Sequence, residues 1–335
     1  MRRSGIVTLT LALLLGGGSG ASARVETPRP QPAPAAAPVA AAAMGAGFAA
    51  ASTQGKVDLG VLGDPARFHS LTGQLTNTRL LIAGWGVGNF DQLFGMMGPR
   101  PMFGIGATSI SPAQIARGSG DAFLLALNQA IARLGRPVYV RPLAEMNGHW
   151  NTYCAYDDGG RARGADYSTA AFRKAFARIY LAVHGGPGVA AALSRLGMPP
   201  LRGALAANAS ATVIWNPQGY GSPDVPGNSA EAYYPGDAYV DVVGDDLYYI
   251  RGKAEWAAAA ALYSAHPGKP FAFPEWGLWG LDAPQFVSQM AEFVHSHPRT
   301  RLVSYYSGQP GSVFDLASKP ASRDAYRRLI VPLAG

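Results

Sequence analysis

One cysteine, Cys154, stands among 335 residues, so the chain has no internal disulfide. A domain of this size holds its core without such staples. Charge is scarce as well, with Asp, Glu, Lys and Arg making up 15% of the residues. There is no dense Lys/Arg tract, and a formal charge of +7 by itself says little for nucleic-acid binding. No apolar run reaches the roughly 20 residues a membrane-spanning helix needs. The six histidines lack metal-ligand spacing, with His295 and His297 near a helix end, so neither a metal nor another cofactor is expected. Leu62-Gly63-Asp64-Pro65 follows the first apolar run and is not a phosphate loop, which speaks against an open doubly wound sheet.

The N-terminal region reads as an export signal. Arg2 and Arg3 precede a short apolar segment, Ile6 to Leu15, and Ala21-Ser22-Ala23 fits a cleavage site. Residues 1–23 are therefore assigned as a signal peptide, with an uncleaved anchor as the alternative. Cleavage removes two arginines and leaves a net charge of +5. Residues 24–54 are rich in Pro and Ala and form a linker that buries little. The expected mature protein is secreted or periplasmic, monomeric, off the membrane and without a nucleic-acid partner.

From residue 55 to 335 the pattern changes to short apolar runs separated by helical stretches. Strands are predicted at Val57–Leu62, Arg79–Ala83, Pro101–Gly104, Pro137–Arg141, Thr212–Trp215, Val240–Asp245, Pro270–Glu275 and Arg301–Tyr305. Helices are predicted at Asp121–Leu134, Ser168–His184, Lys253–Ser264 and Pro284–Ser296. In the first of these, Phe123, Leu124, Leu127, Ile131 and Leu134 mark one buried face. Gly185-Gly186-Pro187-Gly188 follows a helix and reads as a stop and turn. Eight buried strands alternating with helices or loops, in a chain longer than the roughly 250 residues such a fold needs, predict an α/β chain: a single-domain (β/α)8 TIM barrel.

In such a barrel the informative residues are polar or aromatic ones at the C-terminal ends of strands. The fourth run leads into Glu145, Asn147, His149 and Trp150, and the seventh into Glu275 and Trp276. Two carboxylates facing each other across a barrel mouth suit retaining glycoside hydrolysis, where one donates a proton and the other attacks the anomeric carbon. Trp85, Trp150, Trp215, Trp276 and Trp279 all lie at or just past strand ends, where indoles can meet the apolar faces of sugars. Each residue alone also has a plain reading, a salt-bridged loop Glu or a packed Trp. The combination is the more specific signal.

At these residues the chain resembles glycoside hydrolase family 26, the β-mannanase family of the large clan of barrel glycosidases. The likeness runs from about Val57 onward. It rests on Ile115 to Asp121 with RPVYVRPLAEMNGHW, on Ala171-Phe172-Arg173 with Val213-Ile214-Trp215-Asn216-Pro217, on Tyr234 to Asp241 with Gly244, Asp246 and Tyr248, and on Lys269 to Gly277. The resemblance implies Glu145 as acid/base, Glu275 as nucleophile and Tyr248 as the hydroxyl that tunes the nucleophile. It also implies a substrate site of Trp150, Trp215, Trp276, Trp85, Arg141 and Asn147, with Arg141 and Asn147 steadying the acid/base strand end. Ala144 departs from the family, which has His before its acid/base; His149 is a partial substitute or a polar residue of the rim.

The expected activity is that of an endo-acting retaining β-glycosidase, a hydrolase of O-glycosyl bonds in a polysaccharide, with β-mannan ahead of β-glucan or xylan. The rival reading is a non-catalytic glycan-binding barrel of an exopolysaccharide system; a metal-dependent hydrolase lacks its ligand spacing. Expressed in a host able to export it, the mature chain should begin at Arg24. N-terminal sequencing that finds Met1 on the exported protein overturns the cleavage assignment.

Overall fold

A computed structural model describes residues 56–86, 89–106 and 109–335. The signal peptide and linker lie outside the described residues. The strands are β1 (Asp58–Gly63), β2 (Thr78–Ala83), β3 (Arg100–Ile105), β4 (Val138–Pro142), β5 (Ala211–Trp215), β6 (Val242–Tyr249), β7 (Phe271–Leu278) and β8 (Thr300–Gly308). All pair in parallel in sequence order, and β8 returns to β1, closing a barrel. The architecture is a (β/α)8 barrel.

The helices are α1 (Pro65–Thr72), α2 (Phe90–Gly95), α3 (Pro112–Ala116), α4 (Asp121–Leu134), α5 (Thr169–His184), α6 (Val189–Arg195), α7 (Trp256–Ala265), α8 (Pro284–Ser296) and α9 (Pro320–Leu329). Local chemistry sets several boundaries. Asp64 accepts from the N–H groups of Ala66 and Arg67 to start α1, and Ser111 and Gln114 form a reciprocal capping box at α3. The helices predicted from periodicity are α4, α5, α7 and α8. The remaining ones are short, or in the case of α9 too polar to show a long apolar stripe. No α-helix bridges β5 and β6; residues 216–241 carry only 3-10 turns, at Ala230–Tyr233 and Asp237–Tyr239.

Strands β6, β7 and β8 run three or four residues past their predicted ends, because pairing continues through the polar residues where the apolar runs stop. The register shifts between Gly244 and Asp246 on β6 and between Phe273 and Trp276 on β7. Such bulges re-aim side chains at a strand end.

Inside the barrel, Leu80, Met102, Tyr139, Ile214, Val242, Ala272 and Leu302 form a compact cluster. The larger core lies between the strands and the helices. At the N-terminal end of the barrel Asp58 pairs with Arg100 and accepts from Tyr139 Oη at 2.8 Å and from Asn77 Nδ2 at 3.0 Å. That end is plugged, which leaves the C-terminal end for chemistry.

Gly185 ends α5, as the glycine run predicted. Its φ is +63°, and a Cβ there would lie 1.9 Å from the Ala206 carbonyl oxygen. That oxygen is already bound to the buried Asn128 amide at 2.9 Å. Gly185→Ala is therefore expected to destabilise the barrel by about 3 kcal/mol or more. Urea unfolding measures this, and an unchanged midpoint would contradict the packing described.

Candidate active site

The chain leaves β4 through a strained turn. Leu143 and Glu145 both adopt the left-handed region, with φ of +50° and +53°. Each such residue costs about 1–3 kcal/mol and persists only where its surroundings hold it. Here they do: Leu143 N–H donates to Ile105 O at 3.0 Å and Glu145 N–H to Asn216 O at 2.7 Å. Tyr153 Oη donates to Ala144 O at 2.7 Å, and Asn151 Nδ2 to Glu145 O at 2.8 Å.

Arg141 points into the barrel mouth from β4 and is 3% exposed. Its guanidinium donates to Asn216 Oδ1 at 2.7 Å and forms close ion pairs with Glu275 and Asp246. Glu275, on β7, also accepts from Tyr248 Oη at 2.6 Å. Asp246 accepts from the Glu275 N–H at 3.1 Å, so the β6 carboxylate braces the β7 backbone. One Glu275 oxygen thus meets a cation and the other a phenol hydroxyl, so each has a strong donor. Burial and the Glu275 charge hold the Tyr248 hydroxyl well above its usual range, so it remains a donor.

Glu145 sits in a different setting. Its donors are neutral: Trp150 Nε1 at 2.7 Å and Gln218 Nε2 at 2.5 Å. Burial and then the nearby Glu275 push its carboxyl above the usual range, against the pull of Arg141 and the Trp150 bond. Asp246 is also pushed up by burial, with Arg141 opposing. A single guanidinium faces several buried carboxylates, and burial holds both Glu145 and Asp246 above the usual carboxylate range.

The sequence-derived candidates divide sharply. Arg141, Glu145, Trp150, Tyr248 and Glu275 are brought together. Trp215 and Trp276 are not: each is 0% exposed, and neither can touch a ligand. Trp215 packs on Tyr234 and His266, and Trp276 stacks on Tyr326 with centroids 5.7 Å apart. The reason is strand alternation. Ile214 belongs to the inner cluster and Asn216 binds Arg141, so Trp215 between them faces the helices; Trp276 follows the inward Glu275 and does the same.

Asn147 and Arg141 also need correction as ligand-binding groups. Asn147 is 0% exposed, and its amide bonds Gln218 N, Gln218 O and Tyr220 O. Arg141 is spent on its carboxylates and Asn216. Trp85 stacks on Phe123 at 4.9 Å, so one face of its ring is taken by packing. His149 lies edge-on to Trp150 at 5.2 Å, and its ring nitrogen is 3.3 Å from Ser222 Oγ.

Sequence reading did not single out Asp246, Gln218 or Asn216 for roles. It named Tyr248 and Trp279 but not Tyr306 and Phe314, which together form a half-buried aromatic wall at the ends of β6, β7 and β8. There Trp279 lies 6.1 Å from Tyr248 and 4.9 Å from Phe314, and Tyr306 lies 4.4 Å from Phe314. The usable signal was spacing: Asp246 and Tyr248 are two apart on one strand and share a face.

No family model and no curated protein matches the chain. Solved structures do. A Bacillus subtilis mannanase is 17% identical, with 83% of this chain and 86% of that chain covered and a TM-score of 0.55. The family 26 domain of an endo-β-mannanase/endo-β-glucanase from Prevotella bryantii is 15% identical, with 83% and 90% covered and a TM-score of 0.54. This chain has their barrel fold. A family 26 β-mannanase from Bacteroides ovatus, 15% identical with 83% and 89% covered, gives 0.50.

Asp245 gives the site a pH signature. It is buried on β6, accepts from Gly219 N–H at 2.8 Å, and is pushed up to about 8 by burial. Between pH 4 and 8 the folded protein then keeps a proton that the unfolded chain has lost, since a free Asp titrates near ~3.9. The folded state binds more protons, so this group lowers stability as pH rises through that window. Asp245→Asn keeps an acceptor for Gly219 and removes the titration. Relative to wild type, the variant should gain stability from pH 5 to pH 8 in urea unfolding; parallel behaviour would overturn the assignment.

Proposed function

We propose that the chain is an endo-acting retaining β-glycosidase that hydrolyses a β-linked polysaccharide by double displacement. The observation that carries this reading is the unequal setting of the two glutamates. Glu275 faces a guanidinium and a phenol hydroxyl, which suits an ionised nucleophile. Glu145 faces neutral N–H donors and is pushed towards its protonated form, which suits a general acid.

In the first step Glu145 gives its proton to the glycosidic oxygen while Glu275 attacks the anomeric carbon. The bond to the leaving sugar breaks and a glycosyl–Glu275 ester forms. In the second, Glu145, now a carboxylate, takes a proton from water, and the water oxygen displaces Glu275. Esterification removes the Glu275 charge that had raised the proton affinity of Glu145, which suits Glu145 to act as acid in the first step and as base in the second. Tyr248 and Arg141 hold the attacking carboxylate throughout.

The structural neighbours named as mannanases support β-mannan as the first substrate, and the combined mannanase/glucanase keeps β-glucan in view, with xylan next. Ala144, in place of the family's His, leaves the acid/base without that imidazole beside it. With Trp215 and Trp276 in the core, Trp150, Trp279, Tyr306 and Phe314 are the aromatic surfaces offered to sugar rings. Secretion remains part of this proposal; no helix among the described residues is long and apolar enough to cross a membrane.

A panel of mannan, xylan, mixed-linkage glucan and other β-glycans tests the activity. Glu145→Ala should lower hydrolysis by about 10²–10⁴-fold, and Glu275→Ala by more, on the order of 10⁶-fold. Near-full activity in either variant would sink the assignment. The first-formed product should keep the anomeric configuration, read by proton NMR, and inversion would refute double displacement. Binding without turnover across the panel would favour the glycan-binding barrel.

A further inference from the structure

Gln218 stands just past β5, at the start of the one strand-to-strand connection without an α-helix. It is 5% exposed, and its side-chain amide donates to Glu145 Oε1 at 2.5 Å. Nothing about the loop's own secondary structure would hold it there. Instead, side chains from two other parts of the barrel grip the backbone on both sides of it. Asn147 Oδ1 accepts from Gln218 N–H at 2.8 Å, and Asn147 Nδ2 donates to Gln218 O at 2.8 Å. Asp245 Oδ1 accepts from the next N–H, that of Gly219, at 2.8 Å. Both carboxyl oxygens of Glu145 are thus met by neutral N–H donors, Trp150 on one and Gln218 on the other.

We propose that Gln218 is a positioning residue for the acid/base, holding the Glu145 carboxyl opposite Trp150 and setting how readily that carboxyl releases its proton. This rests on the reading of Glu145 as the acid/base. The physics is a difference between two states. An N–H donor binds a carboxylate more strongly than a carboxylic acid, so each such bond eases proton loss. Burial and the Glu275 charge act the other way. Without Gln218 the carboxyl would grip its proton harder, and a general acid works best when its proton affinity is matched to the operating pH.

The charged and titratable groups facing Glu145 come from every side of the mouth. Arg141 lies on its own strand and Tyr153 on the loop beyond, where His149 packs edge-on against Trp150. Tyr220 comes from the β5–β6 connection, and Asp245, Asp246 and Tyr248 from β6. Glu275 comes from β7 and Tyr306 from β8. Gln218→Met changes none of these charges and nearly keeps the side-chain volume, so it isolates the donor.

The experiment uses the full chain with ¹³C-labelled glutamate carboxyls, the Glu145 signal being assigned with Glu145→Gln. Gln218→Met should raise the midpoint of the Glu145 titration by about one pH unit. The basic limb of kcat/KM on whichever glycan the wild type hydrolyses should move up by the same amount. Gln218→Glu places a carboxyl against Glu145 and should raise the midpoint further; it serves also if the Met variant does not fold. An unmoved midpoint in a folded variant, with activity lowered equally at all pH values, overturns the proposal and leaves a merely structural loop contact. The carboxyl titration needs no turnover. A wild type inactive on every glycan, with the shift present, therefore refutes the glycosidase reading while leaving the Gln218 contact standing.

Discussion

The guanidinium of Arg141 is the interaction on which the rest of the site depends. It is buried at the centre of the barrel mouth and is shared between Glu275 on β7, Asp246 on β6 and Asn216 after β5. A lone buried arginine would be costly, and so would either carboxylate without it; removing one partner of such a pair typically costs ~3–5 kcal/mol. Together they tie β4 to the strands across the mouth. Arginine suits the task because its planar fork reaches several acceptors at once and it does not lose its proton. The same cation makes the two glutamates unequal: it is ion-paired with Glu275, while Trp150 and Gln218, both neutral, donate to Glu145. The division of labour between a nucleophile and an acid follows from where one positive charge can reach.

Precision around that cation comes from backbone held under strain. Leu143 and Glu145 stand in the left-handed region, and bonds from Asn216, Asn151, Tyr153 and Ile105 hold the turn. Bulges on β6 and β7 next to Asp246 and Glu275 adjust the aim of the facing side chains. The β5–β6 connection, which has no α-helix, is fixed by Asn147 and Asp245 and delivers Gln218 to the acid/base. The loops are thus ordered by buried polar side chains and not by secondary structure of their own.

Much of this was legible in the residue order, and the misreadings are instructive. The eight apolar runs are the eight strands, because a buried parallel strand must be apolar on both faces. Glu145 and Glu275 stood out because each ends such a run. Trp215 and Trp276 stood out for the same reason, yet they belong to the core. Adjacent residues on a strand face opposite ways, so a Trp directly beside an inward Asn or Glu turns towards the helices. That inference was open to sequence reasoning once the inward residues were chosen. Gln218 was not open to it, for it follows a Pro in a segment without periodicity and meets Glu145 from 73 residues away.

By itself the sequence determined the barrel class, the strands that carry the two carboxylates and the presence of Tyr248 two residues after Asp246. These are local properties: apolar periodicity, strand alternation and the residue that ends each run. The tertiary structure decided which carboxylate meets the cation, which indoles reach the mouth and which neutral donors hold the acid/base. Those depend on barrel closure and strand register, which bring Arg141, Asp246 and Glu275 within bonding distance although more than a hundred residues separate Arg141 from each of the two carboxylates. Burial then raises the proton affinity of Asp246 and Glu145, and burial exists only once the barrel is closed.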